Sequence, residues 1–206
     1  MNRKGYFITF EGIDGCGKTT QLEAVYDFLT ALGFECVKTR EPGALELGKK
    51  IREILLYHKG IVSDKCEMFL FLADRSQHMD TLIKPSVEAG KVVLCDRHTD
   101  STIAYQGYGR GQDAERLTKL NDIATGGMKP DLTFVFDVTT ETGAKRAGNN
   151  PDRMEASGKE FFERVRQGYI ELSKKYPERI KVINGENSKE LVYNDVKSNI
   201  MDLMGL

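Results

Sequence analysis

The sequence lacks an excess of charge of either sign, a long apolar run and any pair of closely spaced cysteines. Its 206 residues include 30 Lys and Arg against 31 Asp and Glu, which leaves a formal net charge of −1. Such a balance argues against broad binding to nucleic acid or to an anionic membrane surface. The apolar runs are also much shorter than a segment that spans a bilayer. We therefore expect neither nucleic acid nor a membrane among the partners of this chain.

The cysteines and the N-terminus indicate a reducing compartment. No CxxC spacing connects the four cysteines, which are Cys16, Cys36, Cys66 and Cys95. Free thiols in the core and in loops explain this pattern better than disulfides or a zinc site. The N-terminal residues lead directly into an apolar run and leave no room for a secretory signal. The sequence therefore predicts a cytoplasmic protein with one domain over residues 1–206.

The most informative motif is GIDGCGKT, at residues 12–19. It matches the phosphate-binding pattern G-x-x-x-x-G-K-[ST] at every fixed position. In this pattern, backbone N–H groups surround phosphate oxygens, the lysine places its charge near the β and γ phosphates, and the hydroxyl ligates Mg²⁺. The predicted nucleotide-phosphate site consists of Gly12, Ile13, Asp14, Gly15, Cys16, Gly17, Lys18 and Thr19.

The surroundings of this motif predict the fold. A short apolar run precedes it, a helical pattern follows it, and such runs alternate with helical patterns along the chain. The runs are continuously apolar, which is typical of strands covered on both faces. We predict an α/β fold of the P-loop NTPase type, with a parallel five-stranded sheet, helices on both faces and a small helical lid. The predicted strands are residues 6–11, 35–39, 92–96, 132–138 and 180–184, and the clearest helical patterns cover 67–79, 161–176 and 188–203.

Charged residues follow several of the predicted strands, at the edge where parallel sheets bind ligands. Arg40 and Glu41 follow the second strand, and Asp96 and Arg97 follow the third. Buried charges there are costly unless they meet a ligand, a metal or each other. Asp96 and Arg97 therefore form either a structural ion pair or a site in which Asp96 serves Mg²⁺ and Arg97 binds a phosphate.

Two further groups have both a functional and an ordinary interpretation. Phe71 and Arg75 share a helix face and could bind a planar base, although spacing alone favours a core phenylalanine and a solvated arginine. Basic residues cluster around the turn-prone residues 148–152, and residues 143–160 would form a lid that brings positive charge to a phosphoryl group. The same cluster could be surface charge offset by nearby glutamates. Its members are Lys145, Arg146, Arg153, Arg164 and Arg166.

Three motifs in this order resemble those of bacterial thymidylate kinases: EGIDGCGKTT at 11–20, TREPG at 39–43 and DRH at 96–98. The similarity continues through DRME at 152–155 and FFERVR at 161–166, so that it spans nearly the whole chain. It implies transfer of the ATP γ-phosphate to thymidine 5′-monophosphate (dTMP) in dTTP synthesis. It also implies a requirement for Mg²⁺ and a homodimer.

The resemblance also implies a role for each residue that matches a motif. The catalytic residues would be Lys18, Asp96, Arg97 and Arg153, with Thr19 and Asp96 at the Mg²⁺ and Arg146 on the ATP side. The dTMP site would consist of Asp14, Arg40, Glu41, Phe71, Arg75, Arg97, Ser101, Thr102, Tyr105 and Gln106. In it, Phe71 would stack on thymine, Arg75 would bind a carbonyl of the base, and Tyr105 would exclude a 2′-hydroxyl. Because Cys16 stands where some relatives carry a loop arginine, a lid arginine, Arg153 or else Arg146, would supply the transition-state charge.

Two other functions are compatible with a phosphate loop. A GTP-dependent switch requires NKxD and DxxG motifs, and the nearest strings, TKLND at 118–122 and DVTT at 137–140, match neither. A P-loop kinase for another nucleoside monophosphate or small acceptor is the second alternative. Because the acceptor pocket separates these kinases, the phosphate loop alone does not exclude it.

Overall fold

The computed structural model describes residues 4–148, 153–154 and 157–206. Its strands are Tyr6–Glu11 (β1), Cys36–Arg40 (β2), Val92–Asp96 (β3), Leu132–Asp137 (β4) and Ile180–Asn184 (β5). Its α-helices are Lys18–Ala31 (α1), Glu46–Tyr57 (α2), Asp64–His78 (α3), Lys84–Glu88 (α4), Thr99–Thr102 (α5), Ala114–Thr125 (α6), Thr140–Ala147 (α7), Lys159–Lys175 (α8) and Lys189–Met204 (α9). Two π-helical segments, Met79–Ile83 (π1) and Ile103–Gly109 (π2), continue α3 and α5.

The five strands form one parallel sheet in the order β2-β3-β1-β4-β5. The central strand, β1, pairs with β3 on one side and with β4 on the other. In this register Phe10 lies opposite Asp96 on β3 and opposite Phe134 on β4. The loop after β1 therefore lies beside the residues that follow β3, at the edge where open α/β sheets bind ligands. The predicted parallel five-stranded sheet is confirmed.

Helices cover both faces of the sheet, as predicted. On one face, Phe7 and Val93 pack against Met79 and Ile83 of π1. The opposite side chains of β1, including Phe10, belong to a larger apolar cluster with residues of α1, α8 and α9. Because neither face of the central strands meets water, these strands are apolar at nearly every position.

The ends of several elements differ from the predicted ends by one to three residues. Helix α3 begins at Asp64 rather than at 67, because the Ser63 side chain accepts a hydrogen bond from the Cys66 N–H and caps it. Its helical path also continues beyond 79, through π1 and α4. The boundaries of β2, β4, α8 and α9 shift by one or two residues. Apolar patterns report which residues are buried, and caps and backbone hydrogen bonds decide where an element ends.

The predicted lid over residues 143–160 lies only in part within the described residues. The structure gives the end of α7, residues 153 and 154, and the start of α8. Residues 149–152 and 155–156, which include parts of the GNNPD turn and of the DRME motif, lie outside them. In the part of the chain that the structure covers, no helix has the length and apolarity needed to cross a membrane.

Candidate active site

The phosphate loop connects β1 to α1, and at two of its glycines the neighbouring backbone leaves no space for a side chain. Gly12 has φ +135°, and a Cβ there would lie 2.6 Å from the Phe136 carbonyl oxygen. Gly15 has φ +75°, and its Cβ would lie 2.2 Å from the Gly143 carbonyl oxygen. A side chain at either position would displace backbone. Since Gly143 belongs to α7, the second contact also shows that α7 packs directly on the loop.

Lys18 lies at the start of α1 with its ammonium group turned into the loop. Its Nζ donates hydrogen bonds to the carbonyl oxygens of Gly12 (3.2 Å) and Ile13 (2.9 Å) and contacts the Cys16 sulfur at 3.6 Å. The N-terminus of a 14-residue helix adds its dipole and unpaired N–H groups at the same place. The loop therefore presents positive charge before any phosphate arrives.

Thr19 and Asp96 meet beside this loop. The Thr19 hydroxyl donates to Asp96 Oδ2 at 3.2 Å, and the other carboxylate oxygen, Oδ1, is buried without a hydrogen-bond partner. Within the described ranges no group of three or more Asp, Glu, His or Cys residues forms a metal cage. Mg²⁺ commonly takes one or two protein oxygens and completes its shell with water and phosphate. The two side chains fit that kind of site.

Arg97 connects the phosphate loop to the end of β3. Its guanidinium donates to Asp14 Oδ1 at 2.7 Å and to the Gly12 carbonyl oxygen at 2.9 Å. It therefore pairs with Asp14 rather than with Asp96, and the interpretation of Asp96 and Arg97 as a structural ion pair is wrong. Burial opposes ionisation of Asp14, but the charges of Arg97 and Lys18 outweigh it and lower its pKa to about 2.

The backbone of Arg97 is also unusual, because its φ of +68° is in the left-handed region that residues other than glycine rarely adopt. Hydrogen bonds to β1 hold the two amides that flank this residue. The Arg97 N–H donates to the Phe10 carbonyl oxygen at 3.0 Å, and the His98 N–H donates to Glu11 Oε1 at 2.7 Å. Strain of this kind persists only where the surroundings enforce it.

The far end of the cleft is built around Arg75, which is only 1 % exposed. It donates to Glu41 (2.8 Å), to the side chains of Thr102 and Asn121 (2.7 Å each) and to the His98 carbonyl oxygen (2.9 Å). The ordinary interpretation, a solvated arginine, is therefore wrong.

Glu41 lies beneath Arg75 and is itself buried. Besides Arg75, its carboxylate contacts His78 Nδ1 at 3.0 Å and lies 3.6 Å from His98 Nε2. Burial alone would raise the pKa of Glu41, but Arg75 and the two imidazoles outweigh it and lower the pKa to about 2. Glu41 therefore remains ionised and keeps the Arg75 guanidinium in place.

Most of the predicted site residues line one cleft of about 700 Å³. The predicted residues in its wall are Asp14, Gly15, Cys16, Gly17, Lys18, Thr19, Arg40, Glu41, Phe71, Arg75, Asp96, Arg97, Ser101, Thr102, Tyr105, Gln106 and Arg146. Gly12 and Ile13 do not line the cleft, but their carbonyl oxygens accept the hydrogen bonds of Lys18. The Tyr105 ring lies 5.0 Å from the Arg97 guanidinium carbon, and its buried hydroxyl has no partner among the described groups.

Several residues of the cleft wall are not among the predicted site residues. Arg52, Met154, Gln21 and Lys189 also line the cleft. Met154 belongs to the DRME motif, but the spacing of the other three marks them as ordinary helix residues, so no sequence signal separates them. Glu11 is different, because an acidic residue at the end of an apolar strand is itself a signal of a buried polar contact.

The arginines of the predicted lid have separate partners. Arg146 lines the cleft and donates to the Gly185 carbonyl oxygen at 3.0 Å. Arg153 donates to the Leu55 carbonyl oxygen and pairs with Glu67, at 2.7 Å each. Arg164 donates to the Gly109 carbonyl oxygen, and Arg166 forms a bidentate pair with Asp137 at 2.5 and 2.8 Å. A contact between Arg153 and the transferred phosphate stays a prediction.

The cleft contains the phosphate loop, Arg97 beside that loop, and the pocket around Arg75, all at one edge of a parallel sheet. These features define a nucleotide-binding P-loop protein. A family model described as "Thymidylate kinase" matches residues 10–196. The thymidylate kinase of Desulfovibrio desulfuricans is 46 % identical over 204 residues, and that of Nostoc sp. is 45 % identical over 198, each match covering 94 % of both chains. The crystal structure of thymidylate kinase from Ehrlichia chaffeensis superimposes with a TM-score of 0.79, at 37 % identity, over 95 % of this chain and 98 % of that one. The chain therefore belongs to the thymidylate kinase family of nucleoside monophosphate kinases, which use ATP as phosphate donor.

Replacement of Glu41 by glutamine should destabilise the protein in a pH-dependent way. At neutral pH we expect a loss of about 3–5 kcal/mol in the free energy of unfolding, because the buried Arg75 charge loses its partner. The folded-state pKa of Glu41 lies below its usual value of 4.5. The contribution of its charge is therefore present above pH 4.5 and is lost as the pH falls towards about 2.

Urea unfolding of the wild type and of Glu41→Gln, at pH 7 and again at pH 4 and below, measures the difference in the free energy of unfolding. This difference should decrease as the pH falls. The matched control is Glu35→Gln, which removes an exposed partner of Lys91 and should cost less than about 1 kcal/mol. A difference that is the same at every pH would show that the Glu41 charge is not responsible.

Proposed function

We propose that this cleft transfers the γ-phosphate of ATP to dTMP and so produces thymidine 5′-diphosphate for dTTP synthesis. The observation that carries the proposal is that the Lys18 loop and the Arg97–Phe71–Arg75 pocket face the same cleft of about 700 Å³. Phosphoryl transfer depends mainly on alignment of the two substrates and on neutralisation of their charge. The shared cleft supplies the alignment, and its cationic side chains supply the neutralisation.

On the donor side, Lys18 exchanges its bonds to the loop carbonyls for oxygens of the β and γ phosphates. Thr19 and Asp96 are the residues that would hold Mg²⁺. When bound, this ion neutralises phosphate charge and orients the phosphate chain. Asp96 keeps one carboxylate oxygen free of internal hydrogen bonds in the described part of the chain, which supports this assignment.

On the acceptor side, the base lies between Phe71 and Arg75. Phe71 stacks on the ring, and Arg75 donates to a carbonyl oxygen with the N–H that its four internal bonds leave over. Ser101, Thr102 and Gln106 surround the base and sugar, and Arg40 and Glu41 shape the adjacent wall. A guanidinium fixed this firmly donates in one geometry, which favours a base with a carbonyl at that position.

Arg97 binds the phosphate of dTMP, and Asp14 binds its sugar. Arg97 donates to the acceptor phosphate with N–H groups that now bind Asp14 and the Gly12 carbonyl oxygen. Asp14, which stays ionised, accepts from the sugar 3′-hydroxyl. Tyr105 is packed against Arg97 and occupies the space that a 2′-hydroxyl would need. This arrangement favours a deoxyribonucleotide.

We further propose that Arg146, rather than Arg153, supplies the charge that stabilises the transferred phosphoryl group. Arg146 is on α7, which packs on the phosphate loop, and it lines the cleft. Arg153 is held by Glu67 and by the Leu55 carbonyl oxygen. In this position Arg153 holds the neighbouring Met154 in the part of the cleft wall that faces dTMP.

A panel of nucleoside monophosphates with coupled ADP detection tests the proposed reaction. We expect ADP release with dTMP far above that with UMP, CMP, AMP or GMP, because Tyr105 and Arg75 select both the sugar and the base. EDTA should abolish turnover, and added Mg²⁺ should restore it. Equal rates with all five acceptors would contradict dTMP specificity, and turnover in EDTA would contradict the metal site.

Alanine substitutions of the two arginines test the division of roles between them. We expect Arg146→Ala to lower kcat about 10²–10³-fold, because the transition state loses a charge-assisted hydrogen bond. Arg153→Ala should mainly raise the KM for dTMP, because the acceptor wall loses its anchor. Steady-state kinetics with both substrates varied measures this. The reverse pattern would assign the transition-state charge to Arg153.

We also propose that the protein is a cytoplasmic homodimer. All four cysteines are free thiols, which suits a reducing compartment. The packed helices α2 and α3 expose Ile54 (45 %), Tyr57 (66 %) and Phe69 (57 %), an apolar surface suited to a second copy. Light scattering should give twice the mass of one chain, and the mass of a single chain would contradict the dimer. Cell fractionation checks the location.

A further inference from the structure

Glu11 is the last residue of β1 and is completely buried, yet none of the proposed reaction steps uses it. Its carboxylate accepts three hydrogen bonds from two separate parts of the chain. Oε1 accepts from the His98 N–H at 2.7 Å. Oε2 accepts from the Ser101 hydroxyl at 2.6 Å and from the Tyr169 hydroxyl at 2.9 Å. The charge therefore joins the residues after β3 to the middle of α8.

The same two hydroxyls contact Arg97. Its Nη1 lies 3.4 Å from the Ser101 oxygen and 3.4 Å from the Tyr169 oxygen. A guanidinium only donates hydrogen bonds, so each hydroxyl must turn a lone pair towards it. The two hydroxyls also lie 2.9 Å from each other, so that they form one hydrogen-bonded cluster with Glu11 Oε2. Their protons point into this cluster, towards the carboxylate, and leave lone pairs for Arg97. The carboxylate thus fixes the polarity of two groups that support Arg97.

Glu11 also acts on the backbone next to Arg97. Its bond to the His98 N–H holds the residue that follows the left-handed φ of Arg97. Without that hydrogen bond, the peptide between Arg97 and His98 would be less restrained, and the strained conformation of Arg97 would be less stable. Side chain and backbone of Arg97 therefore both depend on one buried charge.

We propose that Glu11 is a positioning residue that presets Arg97 for the acceptor phosphate through Ser101, Tyr169 and the His98 amide. The inference rests on the proposed function, in which Arg97 binds the phosphate of dTMP. It assigns Tyr169, which is 1 % exposed and outside the predicted site, a part in acceptor binding. Nearby Asp100 does not compete for the hydroxyls, because Arg179 engages both of its oxygens at 2.6 and 2.9 Å.

The isosteric variant Glu11→Gln separates this role from packing. Glutamine keeps only one acceptor oxygen. In either orientation its NH₂ group faces the His98 N–H or the two hydroxyls and cannot accept the hydrogen bonds that the carboxylate accepts there. Burial raises the pKa of the Glu11 carboxyl to about 7, helped by the Asp100 charge. Binding is therefore measured at pH 8, where the wild-type carboxylate is ionised.

Isothermal titration calorimetry with dTMP alone, and separately with a non-hydrolysable ATP analogue, provides the readout. We expect Glu11→Gln to raise the Kd for dTMP about 10- to 100-fold, the usual effect of losing a hydrogen bond to a charged group. The Kd for the ATP analogue should change less than about twofold. Asp131→Asn is the matched control, because its carboxylate also accepts a backbone N–H of β1, that of Phe7, but at the opposite end of the strand. It should leave both Kd values unchanged.

A double-mutant cycle makes the test specific. Tyr169→Phe should weaken dTMP binding in the wild type and add little in the Glu11→Gln background, because both changes remove the same support. Unchanged dTMP binding in Glu11→Gln, or equal loss of both ligands, would overturn the inference while the kinase function stands. If Glu11→Gln does not fold, unchanged dTMP binding by Tyr169→Phe overturns it, and weakened dTMP binding with normal ATP-analogue binding supports it. A wild type that binds no dTMP would overturn the proposed function first, and this inference with it.

Discussion

The parallel pairing of β1 with β3 is the constraint on which the rest of the site depends. It aligns Phe10 with Asp96, so that both strands end at one edge of the sheet and their following loops start side by side. The phosphate loop then lies within hydrogen-bond distance of Arg97, although more than 80 residues separate Gly12 from it along the chain. A shift of the register by one residue would turn Asp96 away from Thr19 and bury it on the other face.

Several buried or partly buried charges near that edge are held in ion pairs. Glu41 and Arg75, Asp14 and Arg97, and Asp100 and Arg179 each join residues from different elements. A buried charge without its partner is very costly, so each pair restricts its side chains to one arrangement. The consequence is a site whose donors are already oriented before a ligand binds, and such preorganisation is the main contribution of a protein to phosphoryl transfer.

The sequence was sufficient for the parts of the molecule that depend on local pattern. The glycine loop, the continuously apolar strands and the charged strand ends predicted the parallel sheet and the donor side of the cleft, and the resemblance to thymidylate kinases supplied the other predicted residues of its wall. The sequence was a poorer guide to residues whose role depends on neighbours far away along the chain. Spacing favoured a solvated Arg75, which is buried, and left open a pair between Asp96 and Arg97, which the fold separates. Arg52 and Tyr169 carry no local signal, because each lies on an ordinary amphipathic helix.

By itself, therefore, the sequence determined that the chain binds nucleotide phosphate, that its sheet is parallel and that its motifs are those of thymidylate kinases. These conclusions follow from short segments whose backbone geometry and burial are set by the residues within them. Only the tertiary structure decided which charges meet. It paired Arg97 with Asp14, directed Arg146 to the cleft and Arg153 to Glu67, and brought Glu11 to the hydroxyls of Ser101 and Tyr169. Such pairings depend on the distance between side chains on separate elements, and that distance exists only once the sheet and helices have packed together.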